Sequence, residues 1–505
     1  MNEFLSYYKI NLNLSEDELD NFSNIIKTPL PCSFRIIKNN DIISKKLEEY
    51  PFVKKINFIE NGYFVELSKK ELREKKEFRK LLVSLVDCGM AYRQEMVSML
   101  PVLFLDVQPD DAVLDMCAAP GSKTMQILEK IDKGILISND INFNRLQVLK
   151  SFTNNIYKPH IITAHNAYQF PNTKLFDKIL CDVPCTGDGT MRKNEDIMKK
   201  WNISGGIGMQ KLQTKILKRG IELCKENGLI VYSTCSLNPV ENEYVIQEVL
   251  KEGKIRIEQV SPKFKHSEGL VQWEVSKNFK SDGNEELKKC VRVYPHHLNS
   301  GGFFFCVLRR IYNNVEKEIN NKNSLDAKKE KDLQKYDIEI TEGINVNDII
   351  LKPIKPEIKN LIEEQYEIKI DEILVATEEK NLYLLYKKML EYINSKLKIY
   401  SIGNKSIILN KFDVISYRIK NYNLIQNPIE ISKEDFEILV EKEEIELKYL
   451  KVRPNKGMGV LCYNGIDLTI WSNDKKIKTF INKEHRKCYS LLFCFENNDI
   501  KTSLE

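Results

Sequence analysis

Leu114-Asp115-Met116-Cys117-Ala118-Ala119-Pro120-Gly121-Ser122-Lys123-Thr124 decides the fold. Val113 to Met116 reads as a short apolar strand, the middle is a tight loop of small residues, and Ser122 opens a helix predicted to reach Ile131. Small residues let the backbone approach a ligand, and a helix amino end offers free N–H groups. The loop has neither the three spaced glycines of a dinucleotide site nor phosphate-loop spacing. Taken alone, Pro120-Gly121-Ser122-Lys123 also suits an ordinary turn into a helix. Asp140 shifts that reading. It closes the next predicted strand, 19 residues beyond Gly121, where a carboxylate accepts from both ribose hydroxyls; the plainer role for it is a helix cap. With no phosphate cradle, a nucleoside joined to an amino acid fits best, which means S-adenosyl-L-methionine.

Outward from this loop the pattern is regular. Strands are predicted at Gly134–Ser138, His160–Thr163, Phe176–Leu180 and Leu229–Ser233, with helices over Asn144–Phe152, Gln210–Cys224 and Val240–Leu250. Strands alternating with helices predict an α/β, doubly wound, mostly parallel sheet, which binds ligands at the carboxyl ends of its strands. The chemically capable residues fall at those ends: Asp115, Asp140, His165-Asn166, Asp182 and Cys235.

Two cysteines lie just past apolar runs: Cys185 in Cys181-Asp182-Val183-Pro184-Cys185-Thr186-Gly187, and Cys235 in Tyr232-Ser233-Thr234-Cys235-Ser236. Together with the cofactor-type loop they point to methyl transfer onto carbon 5 of a pyrimidine. That carbon is a poor nucleophile. A thiolate adding to carbon 6 makes an enamine that attacks a methyl donor, which splits one hard step into easier ones. Asp182, three residues before Cys185, suits the charge that addition places on the ring. Local chemistry leaves open which cysteine adds. Cys32, Cys88, Cys224, Cys290 and Cys306 read as small buried hydrophobes. No second cysteine pair or histidine cluster accompanies Cys181 and Cys185, so no metal is expected there.

The 505 residues allow two to four domains, and 42% hydrophobic with 30% charged residues suits a soluble protein with sizeable cores. A net charge of +5 is compatible with nucleic acid without demanding it. Twelve scattered cysteines and a Met1–Leu5 start lacking a basic-then-apolar leader suggest a reduced, intracellular protein. No apolar run approaches the ~18 residues of a membrane span. Ser15 is predicted to cap a helix, Cys32–Ile37 to form a strand, and Lys69–Lys80 a charged helix. The expected organisation is an α+β amino-terminal RNA-binding region at 1–80 and a catalytic domain at 81–312. A Lys-, Glu- and Asn-rich linker follows at 313–339, then a smaller β-rich domain at 340–505.

The stretches Asp115–Thr124, Cys181–Asn194 (CDVPCTGDGTMRKN) and Tyr232–Glu243 (YSTCSLNPVENE) resemble the Sun-domain family of RNA cytosine-5 methyltransferases, nearest its eukaryotic tRNA branch. Arg93-Gln94-Glu95, Ser98–Pro101, Pro295-His296-His297 and Ser300–Phe304 agree with it. The resemblance implies a Rossmann-like, S-adenosyl-L-methionine-dependent core and a PUA-like carboxyl-terminal domain. It assigns Cys235 as nucleophile on carbon 6 and Cys185 to product release. Cys117, Ala118, Ala119, Pro120, Gly121, Ser122 and Lys123 would hold the methionine end, Asp140 the ribose, and Asp182 would sit between cofactor and cytosine. Lys123 stays near the reacting centre. Asn166 stands where the family usually has an aspartate beside adenine; its amide oxygen still accepts from the adenine amine. Arg192 and Lys193 are expected to meet RNA phosphates. A tRNA partner, a monomer, and a nuclear location follow from the same likeness. The alternatives are methylation of rRNA, mRNA or DNA, or an inactive RNA-binding protein of the same fold.

Overall fold

In the computed structural model the described residues are 2–37, 40–153, 156, 158–194, 196–311, 344–346, 349–353, 360, 363, 373–376, 381–402, 404–408, 429–454, 457–464, 466–481 and 483–493. The expected linker at 313–339 lies outside them.

The centre is a ten-stranded mixed sheet. Its parallel core runs, in spatial order, His160–Thr163, Ile135–Asn139, Ala112–Asp115, Phe176–Asp182 and Cys224–Thr234. The chain starts in the middle at Ala112–Asp115 and moves outward through two strands. It then crosses back to add Phe176–Asp182 on the other side. The strand order therefore reverses between Ala112–Asp115 and Phe176–Asp182, and a crevice for ligands opens at such a switch point. Phe303–Arg310 extends the sheet antiparallel to Cys224–Thr234.

Both faces of the sheet are covered, so its strands are apolar on both sides. Leu114, Ile137, Ile179 and Ile230 point to one face, against Ile216, Leu217 and Ile221 of the Ile203–Leu223 helix. Val113, Leu136, Leu180 and Val231 point to the other, against Leu100, Val102 and Leu105 and against Met125, Ile127 and Leu128. The alternation is the two-residue period of a pleated strand.

The amino-terminal region divides in two. The helices Asn2–Asn11 and Glu16–Ile25, the second opened by a Ser15–Glu18 capping box, pack against Met191, Leu237 and Tyr294 beside the crevice. A four-stranded antiparallel sheet (Val53–Lys55, Gly62–Val65, Cys32–Ile36, Ala91–Arg93) packs on the helix Lys76–Asp87. The predicted Lys69–Lys80 helix is two helices, Lys69–Glu74 and Lys76–Asp87, divided at Lys75 with ψ 69°.

The carboxyl-terminal part also divides. Ile399–Ile402 pairs antiparallel with His160–Thr163 and becomes the edge strand of the central sheet. Leu385, Met389, Tyr392 and Leu397 join the sheet's core. Residues 385–402, assigned from sequence to the separate 340–505 domain, are thus packed on the catalytic sheet because their apolar side chains complete its face. Farther on, the helices Lys433–Glu441 and Lys483–Phe493 cover a five-stranded sheet. They share one core with Phe78, Leu81 and Leu85 of the amino-terminal unit. No helix among the described residues is long and apolar enough to cross a membrane.

Candidate active site

The loop after Ala112–Asp115 makes the first wall of the crevice. Gly121 has φ +118°, a conformation that disfavours side chains, and a Cβ there would lie 2.8 Å from Leu149 Cδ1. The loop therefore folds tightly against the Phe143–Thr153 helix before Ser122–Lys130 begins. Asp140 accepts from Ala119 N–H at 3.2 Å and Asn142 N–H at 2.9 Å, and Arg145 pairs with it at 3.4 Å. One carboxylate thus ties the loop to the end of the second strand. Asn139 does the same one residue earlier, donating to the carbonyls of Met116 and His165. Asn166 is half-buried at the start of the Ala167–Gln169 turn. His165 beside it accepts from Lys398 N–H at 2.8 Å, so the edge strand added from the carboxyl-terminal region borders this end of the crevice.

The second wall carries the acid–base groups. Lys123 Nζ lies 2.8 Å from Asp182 Oδ2 and donates to Ser98 Oγ at 2.8 Å. Asp182 also accepts from Ser233 Oγ at 2.7 Å. Asp115 is buried, with Oδ2 held by Thr124 and Oδ1 without a partner. Burial, reinforced by the nearby Asp182, pushes its carboxyl up to about 7.

The two cysteines come from neighbouring strand ends, and their sulfurs are 3.3 Å apart. Cys185 is pushed well above the ordinary thiol range, first by its hydrogen bond with Cys235 and then by burial. Glu241 fixes both loops at once. It accepts from Thr186 N–H at 2.9 Å, from Ser236 Oγ at 2.7 Å and from Gln213 Nε2 at 2.9 Å, as well as from Thr186 Oγ1. Below the cysteines, Gly189 N–H donates to Cys235 O at 2.9 Å, and Gly302 N–H donates to Gly189 O at 2.7 Å. A Cβ on Gly189 would lie 2.5 Å from Gly302 O and 2.7 Å from Cys235 O, so only glycine fits between these backbones. Asp188 accepts from Leu237 N–H and from Tyr8 of the first helix; burial, then the charge of Glu241, pushes it up to about 6.

The structure thus gathers Cys117–Lys123, Asp140, Asn166, Asp182, Cys185 and Cys235 around one crevice. One expectation is corrected. Arg192 is only 5% exposed and does not face solvent. It donates to Thr28 O, Pro29 O, Asn299 Oδ1 and Ser300 O, pinning the amino-terminal helices to the loop before Gly302. Five carbonyl and hydroxyl partners hold its guanidinium inside the packed loops, away from any phosphate at the surface. Lys193 next to it is exposed. Glu241, Ser98, Ser233 and Asn139 received no role from sequence. The available signal for Glu241 was a carboxylate next to apolar Val240 in a stretch that otherwise buries itself.

Residues 102–309 match the family model described as 16S rRNA methyltransferase RsmB/F. A Pyrococcus abyssi tRNA (cytosine(49)-C(5))-methyltransferase is 31% identical over 228 residues, covering 44% of this chain and 71% of that protein. The chain belongs to the RsmB/F methyltransferase family. A Saccharomyces cerevisiae relative, multisite-specific tRNA:(cytosine-C(5))-methyltransferase, is 34% identical over 377 residues, covering 61% of this chain. The chain spans 55% of that relative's length. Among solved structures, PH0851 superposes with a TM-score of 0.50 at 23% identity, over 61% of this chain and 65% of that one. That likeness is one of fold.

Proposed function

We propose that this RsmB/F-family chain transfers a methyl group from S-adenosyl-L-methionine to carbon 5 of cytosine in tRNA, through a covalent bond between Cys235 and carbon 6. The observation that carries the reading is the pair of sulfurs 3.3 Å apart just past the carboxyl ends of Phe176–Asp182 and Cys224–Thr234, beside the switch point. The names of the Saccharomyces and Pyrococcus relatives support tRNA as the substrate.

The residues present suit the cofactor. Asp115 Oδ1 is a buried acceptor without a partner, and Asp140 stands at the end of the adjacent strand. Cys117–Lys123 would hold its methionine end, Asp140 its ribose and Asn166 its adenine. When bound, S-adenosyl-L-methionine supplies a methyl group on a cationic sulfur.

The chain's own groups do the rest. Cys185, its thiol raised by its bond with Cys235 and by burial, keeps its proton, and Cys235 beside it is the sulfur that adds to carbon 6. Lys123, paired with Asp182, offsets the negative charge that addition places on the ring. Once Cys235 is a thioether, the two influences it exerts on Cys185 disappear. Cys185 then loses its own proton to solvent and, as the thiolate, takes the carbon 5 proton; the C–H electron pair re-forms the C5–C6 double bond and expels Cys235 as its thiolate. The target base leaves its stack to reach this crevice.

The test is nucleoside mass spectrometry of tRNA after incubation with methyl-labelled S-adenosyl-L-methionine. Labelled 5-methylcytidine with wild type, and none with Cys235→Ala, is expected. Label in a different nucleoside, or equal label with Cys235→Ala, contradicts the proposal.

A further inference from the structure

Away from the crevice, Glu18 on the second helix meets His296 and His297 in the Pro295–Leu298 turn. One ligand atom from each, a carboxylate oxygen and two imidazole nitrogens, lies within 4.8 Å of the others. Both ring nitrogens of His296 are buried without a hydrogen-bond partner. A buried polar group in that condition points to something absent that satisfies it, an ion or a water. His297 has one long hydrogen bond, 3.3 Å from Tyr294 N–H to Nδ1. Glu18 uses Oε2 for the Ser15 cap, and its other oxygen is not part of that cap.

We propose that Glu18, His296 and His297 form a zinc-class divalent metal site that staples the amino-terminal helices to the catalytic domain. Two imidazole nitrogens and one carboxylate oxygen are a ligand set that zinc takes, with bond lengths of about 2.0–2.2 Å. A modest closure of Glu18 on the histidines reaches that geometry. Glu18 and Tyr294 also line a cavity of about 280 Å³, together with Asn13, Leu14, Gly269 and Leu270. Lys265 and His266 add positive influence nearby, and both are exposed. Glu18 supplies the opposing charge.

The staple has a mechanical consequence. The same helices send Tyr8 to Asp188 and, through Thr28 and Pro29, hold Arg192, which reaches the loop before Gly302. Metal at this site therefore steadies the backbone beneath Cys235.

Zinc content and thermal unfolding of the full chain test the site. Wild type should retain about one zinc per chain after gel filtration and lose several degrees of Tm on chelation, recovering with zinc alone. Glu18→Gln keeps a side chain able to complete the capping box, and His296→Leu replaces an unsatisfied ring with an apolar group. Both should fold, bind zinc at least about tenfold more weakly, and show a Tm that chelation leaves unchanged. Wild type with no retained zinc and the same Tm with or without it would overturn the proposal. So would either variant binding zinc as wild type does, because the metal would then sit elsewhere, among the cysteines.

Discussion

Gly189→Ala tests whether Cys235 is positioned by backbone contact from beneath. The added Cβ would stand 2.5 Å from Gly302 O and 2.7 Å from Cys235 O, short of the 3.0 Å floor for such contacts by 0.5 and 0.3 Å. Both neighbours are also hydrogen-bonded to Gly189 itself, so neither carbonyl retreats without dragging its strand end. Overpacking of this kind costs about 1–3 kcal/mol of stability. A 1 Å misplacement of reacting groups costs about 100-fold in rate, so a shift of a third to a half of that corresponds to about five- to tenfold. The assay is the rate of covalent enzyme–tRNA adduct formation in quenched-flow samples on denaturing gels, with calorimetric titration of S-adenosyl-L-methionine alongside. Expected are a lowered Tm, adduct formation about five- to tenfold slower, and cofactor affinity within about twofold of wild type. Adduct formation at the wild-type rate in a protein whose Tm has fallen would refute the reasoning, because the strain would then dissipate without reaching Cys235.

Other outcomes follow from the buried charges and the tight loop. Asp115 has its folded value raised from 3.8 to about 7, so its stabilising contribution is full below about pH 4 and is lost as pH rises through 7. Asp115→Asn should remove up to about 4 kcal/mol of that decline, seen as urea midpoints that fall less between pH 5 and pH 8 than in wild type; identical pH dependence would contradict it. Gly121→Ala, with φ +118° and a clash on Leu149, should cost about 1–2 kcal/mol in the loop and weaken cofactor binding by calorimetry about tenfold. Arg292 and Glu243 form a fully buried pair at 2.5 and 2.6 Å. Arg292→Met should destabilise by about 3–5 kcal/mol, and Arg292→Met/Glu243→Leu should recover much of it in denaturant unfolding.

The central sheet was legible because its strands are continuous apolar runs that stop at Asp115, Asn139 and Asp182, with a helix after each. The long helix was predicted from Gln210 but begins at Ile203, because Gly205, Gly206 and Gly208 depress helix propensity there. Gly206 is present for a close approach: a Cβ would meet Asn238 at 2.1 Å. The strand at Ile399–Ile402 was invisible, since its partner, His160–Thr163, lies more than 200 residues away and no local pattern encodes an added sheet edge. The crevice residues were readable because cysteine, aspartate and glycine cluster at strand ends. Their supports were not. Glu241 and Arg192 look like surface charges in sequence, and only the packed loops around them supply enough partners to bury them.

The most direct measurement is a denaturing gel of Cys185→Ala incubated with tRNA and S-adenosyl-L-methionine, beside wild type, Cys235→Ala and Cys185→Ala/Cys235→Ala. The account predicts a slow-migrating protein–RNA band that accumulates in Cys185→Ala and vanishes in the double variant. A band that accumulates in Cys235→Ala, or persists when both sulfurs are gone, would contradict it.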